Sequence, residues 1–374
     1  MKAIGIILAG GDSHRMGELS ARRAVCAMPV AGGYRSIDFT LSNMSNSHIQ
    51  KVAVLTQYNA RSLSEHLNSS KWWDFGRKQG GLFVFTPAVT AENGNWYRGT
   101  ADAIFQNLHF LKNSHEPYVV LASGDCVYKI DFQKVLDHHI QKQADITVVC
   151  KDIAPDADME LERFGIVEIR EDERILQFEE KPLKARTNTV SCGIYVIRRG
   201  LLIELIERCA GENRYDLVRD VLIRYGEGKR IYGYKLDGYW RNIASVKDYY
   251  NTNMDFLKPG VRDYFFKSYP DIHSKIEDLP PAKYNEGASV SNSLIAGGCI
   301  VNGAVENSVI FKKSYIGDRC VIRNSIILND VYIGDDSVIE NCIVESRGII
   351  KAGSHFGGGD GIKVVVEQNE RFVL

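Results

Sequence analysis

The sequence predicts an α/β protein built in two styles: a doubly wound, mostly parallel sheet, followed by a C-terminal left-handed parallel β-helix. Three observations carry this expectation. Apolar strand-like runs alternate with helical patterns from residue 1 to about 250. A Gly-Gly turn directly follows the first run, at Gly10-Gly11. Near the C-terminus, aliphatic residues recur about every five or six positions.

The elements follow in order. Ala3-Ile4-Gly5-Ile6-Ile7-Leu8 reads as a buried strand, because a short apolar run closed by glycine suits a strand covered on both faces. Lys51–Thr56 is a second strand, and Ala101–Leu111 has the spacing of an amphipathic helix. Tyr118–Ala122 is a strand that leads into Gly124-Asp125. Phe132–Gln143 reads as a helix and Asp145–Cys150 as a strand. In such sheets ligands gather at the carboxyl ends of the strands, where Gly10, Gly11 and Asp125 fall. A stretch rich in Pro, Lys and Tyr then runs from Lys258 to Tyr284. Beyond it, Ile295, Ile300, Val305, Ile310, Ile316, Ile322, Leu328, Ile333, Ile339, Val344 and Ile350 mark a hexapeptide repeat, with turn residues between them. The predicted organisation is a first domain over 1–257, a linker over 258–284 and a β-helix over 285–374.

Composition excludes several roles. The chain has 374 residues with 46 basic and 47 acidic side chains, so it lacks the basic excess of a nucleic-acid or membrane-surface binder. Its eight cysteines show neither Cys-x-x-Cys nor zinc-site spacing, which points to a reduced, cytoplasmic setting. No apolar stretch nears the roughly 20 residues of a membrane span. The N-terminal apolar run is also too short for a signal peptide.

Gly10-Gly11 can bring backbone N–H groups up to a phosphate. Yet Asp12 and Glu18 add carboxylates to that loop, and Ala24–Val30 contains no cation. The architecture suggests a nucleotide while the side chains withhold the charge to process one.

Taken in order, the motifs are specific. They are Leu8-Ala9-Gly10-Gly11, Gly33–Phe39 with Leu41-Ser42-Asn43, Leu55–Tyr58, Trp96–Ala103, Gly124-Asp125, Phe178–Pro182, Ser191–Tyr195 and Tyr239–Ile243. With the hexapeptide tail, this set resembles the ADP-glucose pyrophosphorylase (glucose-1-phosphate adenylyltransferase) family over nearly the whole chain. The resemblance implies a Rossmann-like nucleotidyltransferase sheet. It implies the reaction of ATP with glucose 1-phosphate to give ADP-glucose and pyrophosphate, by in-line attack on the α-phosphorus. It also implies glucose 1-phosphate contacts at Tyr97, Gly165, Glu180, Lys181 and Ser191, and nucleotide contacts at Gly10, Gly11, Arg15, Gln57, Gly99 and Thr100.

The same resemblance exposes gaps. The third glycine of the family's phosphate loop is Ser13, and its proline is Glu18. The lysine that neutralises phosphates is Val25, followed by Cys26. Asp125 matches one metal-binding aspartate, with Cys126 in place of the adjacent histidine, while the second aspartate is Asn242. No catalytic residue is therefore expected in this chain, and Mg²⁺ is expected in an active paralogue. The pattern is similar to the D-type regulatory subunit of bacterial two-subunit enzymes, which implies a heterotetramer with a catalytic chain. The alternative is a self-sufficient transferase in which Arg15 or Arg35 supplies the missing charge. A β-helix acyltransferase is a third reading, for which His355 is the only histidine in the tail. Arg22-Arg23 suits either a solvated pair or a contact with an anionic, phosphorylated effector or a partner. Adjacent His138-His139 do not share a helix face and make a poor metal site.

Overall fold

The chain was analysed as a computed structural model that describes residues 2–11, 14–76, 80–88, 94, 96–154, 157–359 and 361–367. Asp12 and Ser13 of the phosphate loop lie outside the described residues. Two compact units emerge, each assembled from separate stretches of sequence. The first comprises Met1–Gly11, Phe39–Ala60 and Leu67–Trp240; the second comprises Asp12–Asp38, Arg61–His66 and Arg241–Leu374.

The first unit holds a nine-stranded sheet. Its main path runs Ile175–Glu180, Gly165–Ile169, Thr189–Arg198, Tyr118–Ser123, Ala3–Leu8, Lys51–Leu55, Gly81–Phe85. The last four of these are mutually parallel. Thr189–Arg198 runs antiparallel to Tyr118–Ser123 and to Ile146–Asp152, and Ile231–Lys235 lies parallel beyond the latter. Strands Ala3–Leu8 and Tyr118–Ser123 are almost wholly buried, as their unbroken apolar runs require. One face of the sheet carries Ile4, Ile6, Val119 and Leu121, which share a core with Ile104, Leu205 and Ile206 from helices.

The helix expected over Ala101–Leu111 is two helices, Thr100–Gln106 and Leu108–Lys112. Asn107 breaks it. Its Nδ2 donates to Ala103 O at 2.9 Å and to the Tyr97 hydroxyl at 2.9 Å, a side-chain alternative to the helical ladder. Helix Phe132–Gln141 matches its pattern and is capped by Asp131, whose carboxylate accepts from Gln133 N.

In the second unit the hexapeptide repeat forms three parallel sheets of five strands each, the prism of a left-handed β-helix. Each face sends one aliphatic inward per coil. Val301 pairs in register with Ile316, then Ile333, then Ile350. Val305, Ile322 and Ile339 do the same on the second face, and Ile310, Ile327 and Val344 on the third. All lie in one dry core. The corners repeat too: Asn292, Asn307, Asn324 and Asn341 all adopt positive φ, which asparagine tolerates better than most residues. At the next position, Ser293, Ser308 and Ser325 each accept a backbone N–H from the following coil at 3.1 Å. The stretch expected as a linker contains helix Pro259–Phe266, with Pro259 in its first turn and Phe265 fully buried.

Inward and outward positions of one strand should therefore behave differently. Ile322→Ala should cost about 2–5 kcal/mol of stability. Arg323→Ala, one residue along and facing solvent, should cost under about 1 kcal/mol. Denaturant titration followed by circular dichroism checks this, and equal costs would contradict the inward assignment.

Candidate functional site

Glu180 ends strand Ile175–Glu180 directly opposite Gly165, which begins the neighbouring antiparallel strand. A Cβ on residue 165 would lie 2.4 Å from the Phe178 ring and 3.1 Å from Glu180 Oε2, so only glycine leaves the carboxylate its place. The Glu180 side chain is 15% exposed, whereas that of Lys181 is 59% exposed, with Nζ 3.6 Å from Glu180 Oε1. Lys181 sits at φ 51°, and its backbone N–H donates to Phe164 O at 3.1 Å. Burial raises the Glu180 pKa; Asp216 adds to the rise, and Lys181 and Arg219 oppose it.

Ser191 joins this cluster through a bulge. Strand Thr189–Arg198 changes register between Ser191 and Ile194, with Gly193 at φ 69°. Buried Ser191 Oγ lies 3.2 Å from the Tyr195 hydroxyl and accepts from Gly193 N at 3.3 Å. Burial pushes the Tyr195 pKa up, with the charge of Glu180 contributing. Gly165, Glu180, Lys181 and Ser191 thus lie in one unit, while Tyr97 of the same expected set is tied to Gln57 and Asn107. Tyr195, Asp216 and Arg219 join the cluster. The motifs did not include these three as site residues; Tyr195 was visible inside the Ser191–Tyr195 motif, while Arg219 lies in the helical segment Leu217–Ile223 and Asp216 caps it, accepting from Arg219 N at 2.7 Å.

The remaining candidates in the first unit are tied to a second network. Gln57 uses its whole amide on Tyr97, accepting from its N–H at 2.9 Å and donating to its carbonyl at 3.3 Å. Tyr97 is buried, and its hydroxyl accepts from Asn107. A Cβ on Gly99 would come within 2.4 Å of Tyr215 O, and Thr100 Oγ1 accepts from Leu217 N at 3.0 Å. Gly99 and Thr100 therefore anchor the segment that carries Asp216 and Arg219. Arg98 completes the anchor, gripping Asp102 and stacking 3.9 Å over the Tyr215 ring.

Gly10 and Gly11 follow the first strand, with Ala9 N donating to Leu55 O at 2.8 Å. Packing does not demand glycine at either position: a Cβ on Gly10 would make only ordinary contacts, and one on Gly11 would meet nothing within 4 Å. Open space over bare backbone is what phosphate approach requires. Asp125 Oδ1 accepts from Ser123 Oγ at 2.5 Å and from Cys126 Sγ at 3.6 Å. Among the described residues no three His, Cys, Asp or Glu side chains gather as a metal site. Asp125 offers one carboxylate, and a Mg²⁺ held through one or two carboxylates needs water and substrate phosphate to complete its shell.

Arg15, Val25 and Asn242 belong to the second unit. Arg15 is exposed. Val25 is buried in the short 3₁₀ turn Val25–Ala27, and its carbonyl accepts from Met28 N and Ser36 Oγ. Arg35, proposed above as a substitute cation, donates from one guanidinium nitrogen to Ser62 O at 2.9 Å and to Ser62 Oγ at 3.1 Å. Arg23 is no freely solvated residue: it pairs with Glu345. The same unit contains a polar cleft of about 180 Å³ lined by Arg35, Glu65, His66, Lys275, Glu277 and Lys312 among others. All eight cysteines are buried and none forms a disulfide, and burial pushes the Cys192 thiol well up, away from nucleophilic chemistry. His138 and His139 diverge, toward Glu173 and toward Thr147 respectively, and neither binds with the other. His355, the one tail histidine, is exposed on an outer face of the β-helix.

A nucleotidyl transferase family profile matches residues 4–259, and a GlmU-like C-terminal hexapeptide profile matches 280–361. A glucose-1-phosphate adenylyltransferase of Clostridium beijerinckii is 39% identical over 98% of this chain and 95% of its own. The chain belongs to this family. Proteins of the same name from Pseudothermotoga lettingae (39% identical, 86% of this chain and 76% of the relative) and Geobacillus stearothermophilus (38%, 86% and 83%) support the assignment. Among the described residues no helix is long and apolar enough to cross a membrane.

Two predictions test the geometry of the family's cluster in this chain. Gly165→Ala should lower stability measurably and displace the Glu180 carboxylate, whereas Gly11→Ala should leave the melting temperature within about 1–2 °C of wild type, the range of a near-neutral change. Glu180→Gln should raise the melting temperature at neutral pH. The raised folded-state pKa of Glu180 gives stability that is present below the unfolded carboxylate pKa and is lost as pH rises through the folded value. The advantage of the glutamine variant should therefore shrink toward acid pH. A pH-independent difference between the two proteins would contradict a desolvated Glu180.

Proposed function

We propose that this chain is a regulatory, catalytically deficient subunit of ADP-glucose pyrophosphorylase in glycogen biosynthesis, assembling with and activating a catalytic paralogue. The observation that carries the proposal is the buried valine at position 25, together with the neutral Asn242. In-line transfer from ATP needs a cation beside the triphosphate and carboxylates around a metal. Neither substitution can supply its share. Glucose 1-phosphate is the ligand for the intact cluster: Glu180 can accept from sugar hydroxyls, and exposed Lys181 and Arg219 offer positive charge to a phosphate. Mg²⁺ would act in the active paralogue. The assembly expected is a heterotetramer. An anionic or phosphorylated effector is a further ligand class expected, with Arg35 and Lys275 lining the cleft beside Glu65 and the Lys312–Glu277 pair.

The second reading is a self-sufficient glucose-1-phosphate adenylyltransferase with an atypical centre. The name shared by relatives 39% identical to this chain favours it directly. Arg35 keeps its charge, since only one guanidinium nitrogen is engaged, by the neutral Ser62.

Pyrophosphate release from ATP and glucose 1-phosphate separates the readings. The purified chain alone, at high concentration with Mg²⁺, should give background rates, and co-expression with an active chain should raise that chain's turnover. Removal of a single preorganised transition-state donor commonly costs about 10²–10³ in rate, so the combined loss should exceed that. Turnover of the lone chain in the ordinary range of roughly 1–10³ s⁻¹ would establish the second reading instead. Glu180→Gln should weaken glucose 1-phosphate binding by calorimetry under either reading.

A further inference from the structure

The buried hydroxyl pair beside Glu180 has a direction. A serine hydroxyl has one hydrogen to give and two lone pairs with which to accept. Gly193 N–H donates to Ser191 Oγ at 3.3 Å and occupies one lone pair. Gly193 stands at φ 69° in the bulge, the backbone turn that aims this N–H back at residue 191. The Tyr195 hydroxyl lies 3.2 Å from the same oxygen, and at that contact either group has a hydrogen to offer.

Burial decides between them. Tyr195 is 4% exposed, and burial keeps its phenol protonated. Among the described residues, Ser191 Oγ is the one hydrogen-bond partner of that phenol. A buried O–H without an acceptor costs more than a typical hydrogen bond gains. Were Ser191 the donor, the phenol hydrogen would be stranded in the core. With Tyr195 as donor, both lone pairs of Ser191 are filled, and the one hydrogen left over is that of Ser191 itself. Strand register aims this leftover donor at the cluster. Val190 stands opposite Ile166, and the neighbour of Ile166, Gly165, stands opposite Glu180. Across the bare backbone of Gly165 the protein therefore sets a donor, Ser191, against a carboxylate that when ionised only accepts.

We propose that Ser191 acts only as a hydrogen-bond donor toward the ligand of this cluster, and that Tyr195 and Gly193 are positioning residues that hold it in that role. The group seated on Ser191 then has to bring a lone pair, as a sugar hydroxyl, a ring oxygen or a phosphate oxygen does. An ammonium at that point is refused. The identity of the ligand rests on the glucose 1-phosphate reading of the cluster; the direction of the hydroxyl does not.

Two measurements on the full chain test this. Thermal unfolding reads the direction without any ligand. Ser191→Ala strands the buried phenol hydrogen, so its melting temperature should fall by about 2–4 °C. Tyr195→Phe strands nothing and should cost less than half of that, and the double variant should melt above Ser191→Ala alone. The opposite order, with Tyr195→Phe the costlier change or the double variant the least stable, would overturn the assignment. Calorimetry with glucose 1-phosphate reads the consequence. Ser191→Ala should weaken binding roughly threefold to tenfold. Tyr195→Phe, which frees the serine hydroxyl to turn, should weaken it by a smaller factor, and that factor should vanish on the Ser191→Ala background. An equal loss on both backgrounds would mean that Tyr195 acts on the ligand by itself, and its positioning role would fall. Failure of the wild-type chain to bind glucose 1-phosphate would remove the sugar-phosphate reading, while the order of unfolding would still decide the direction.

Discussion

The Glu180 carboxylate exists where it does because residue 165 has no side chain. Two antiparallel strands meet at this pair, and the space a Cβ would take is shared by the Phe178 ring and the carboxylate oxygen. Everything else in the cluster is arranged around a negative charge that burial disfavours. Lys181 and Arg219 bring opposing charge from two different segments, and Ser191 and Tyr195 bring hydroxyls from the bulged strand alongside. Such an arrangement costs stability in isolation. Its persistence is easier to understand in a site that meets a polyhydroxylated, anionic ligand than in a strand end with no task.

How much of this was legible in the sequence depended on how local each signal was. The β-helix was readable because each coil repeats the same demand: one inward aliphatic per face and a turn-tolerant residue at each corner. The first strand and its glycine turn were equally plain. The helix expected across Ala101–Leu111 failed at Asn107, because the competing bond to Tyr97 comes from a residue outside the helical pattern. Composition around Pro259 read as linker, yet proline is at home in a helix's first turn, and Phe265 finds a buried place.

The candidate site divides along the same line. The members expected to contact the sugar sit within short motifs. What the motifs could not convey is which members hold the frame. The close approach of Gly99 to Tyr215 and the twofold grip of Gln57 on the Tyr97 backbone join segments far apart in sequence. These residues position the walls of the cluster whether or not they also touch a nucleotide. Arg23 taught the same lesson in reverse: an apparently free basic pair contains a residue committed to Glu345, which lies more than 300 positions away.

The change at position 25 reaches further than the loss of one charge. Val25, Cys26, Ala27 and Met28 are all buried, so this turn is part of the core. A lysine placed there would carry its ammonium toward a poorly solvated region, and its charge would be stable only with an anion in contact. In an active family member the nucleotide can provide that anion. Here, with Asn242 also neutral and apolar packing closed around the turn, the charge and its partner would have to return together. Under the proposed regulatory reading, a Val25→Lys reversal alone would meet a desolvation cost before any catalytic gain.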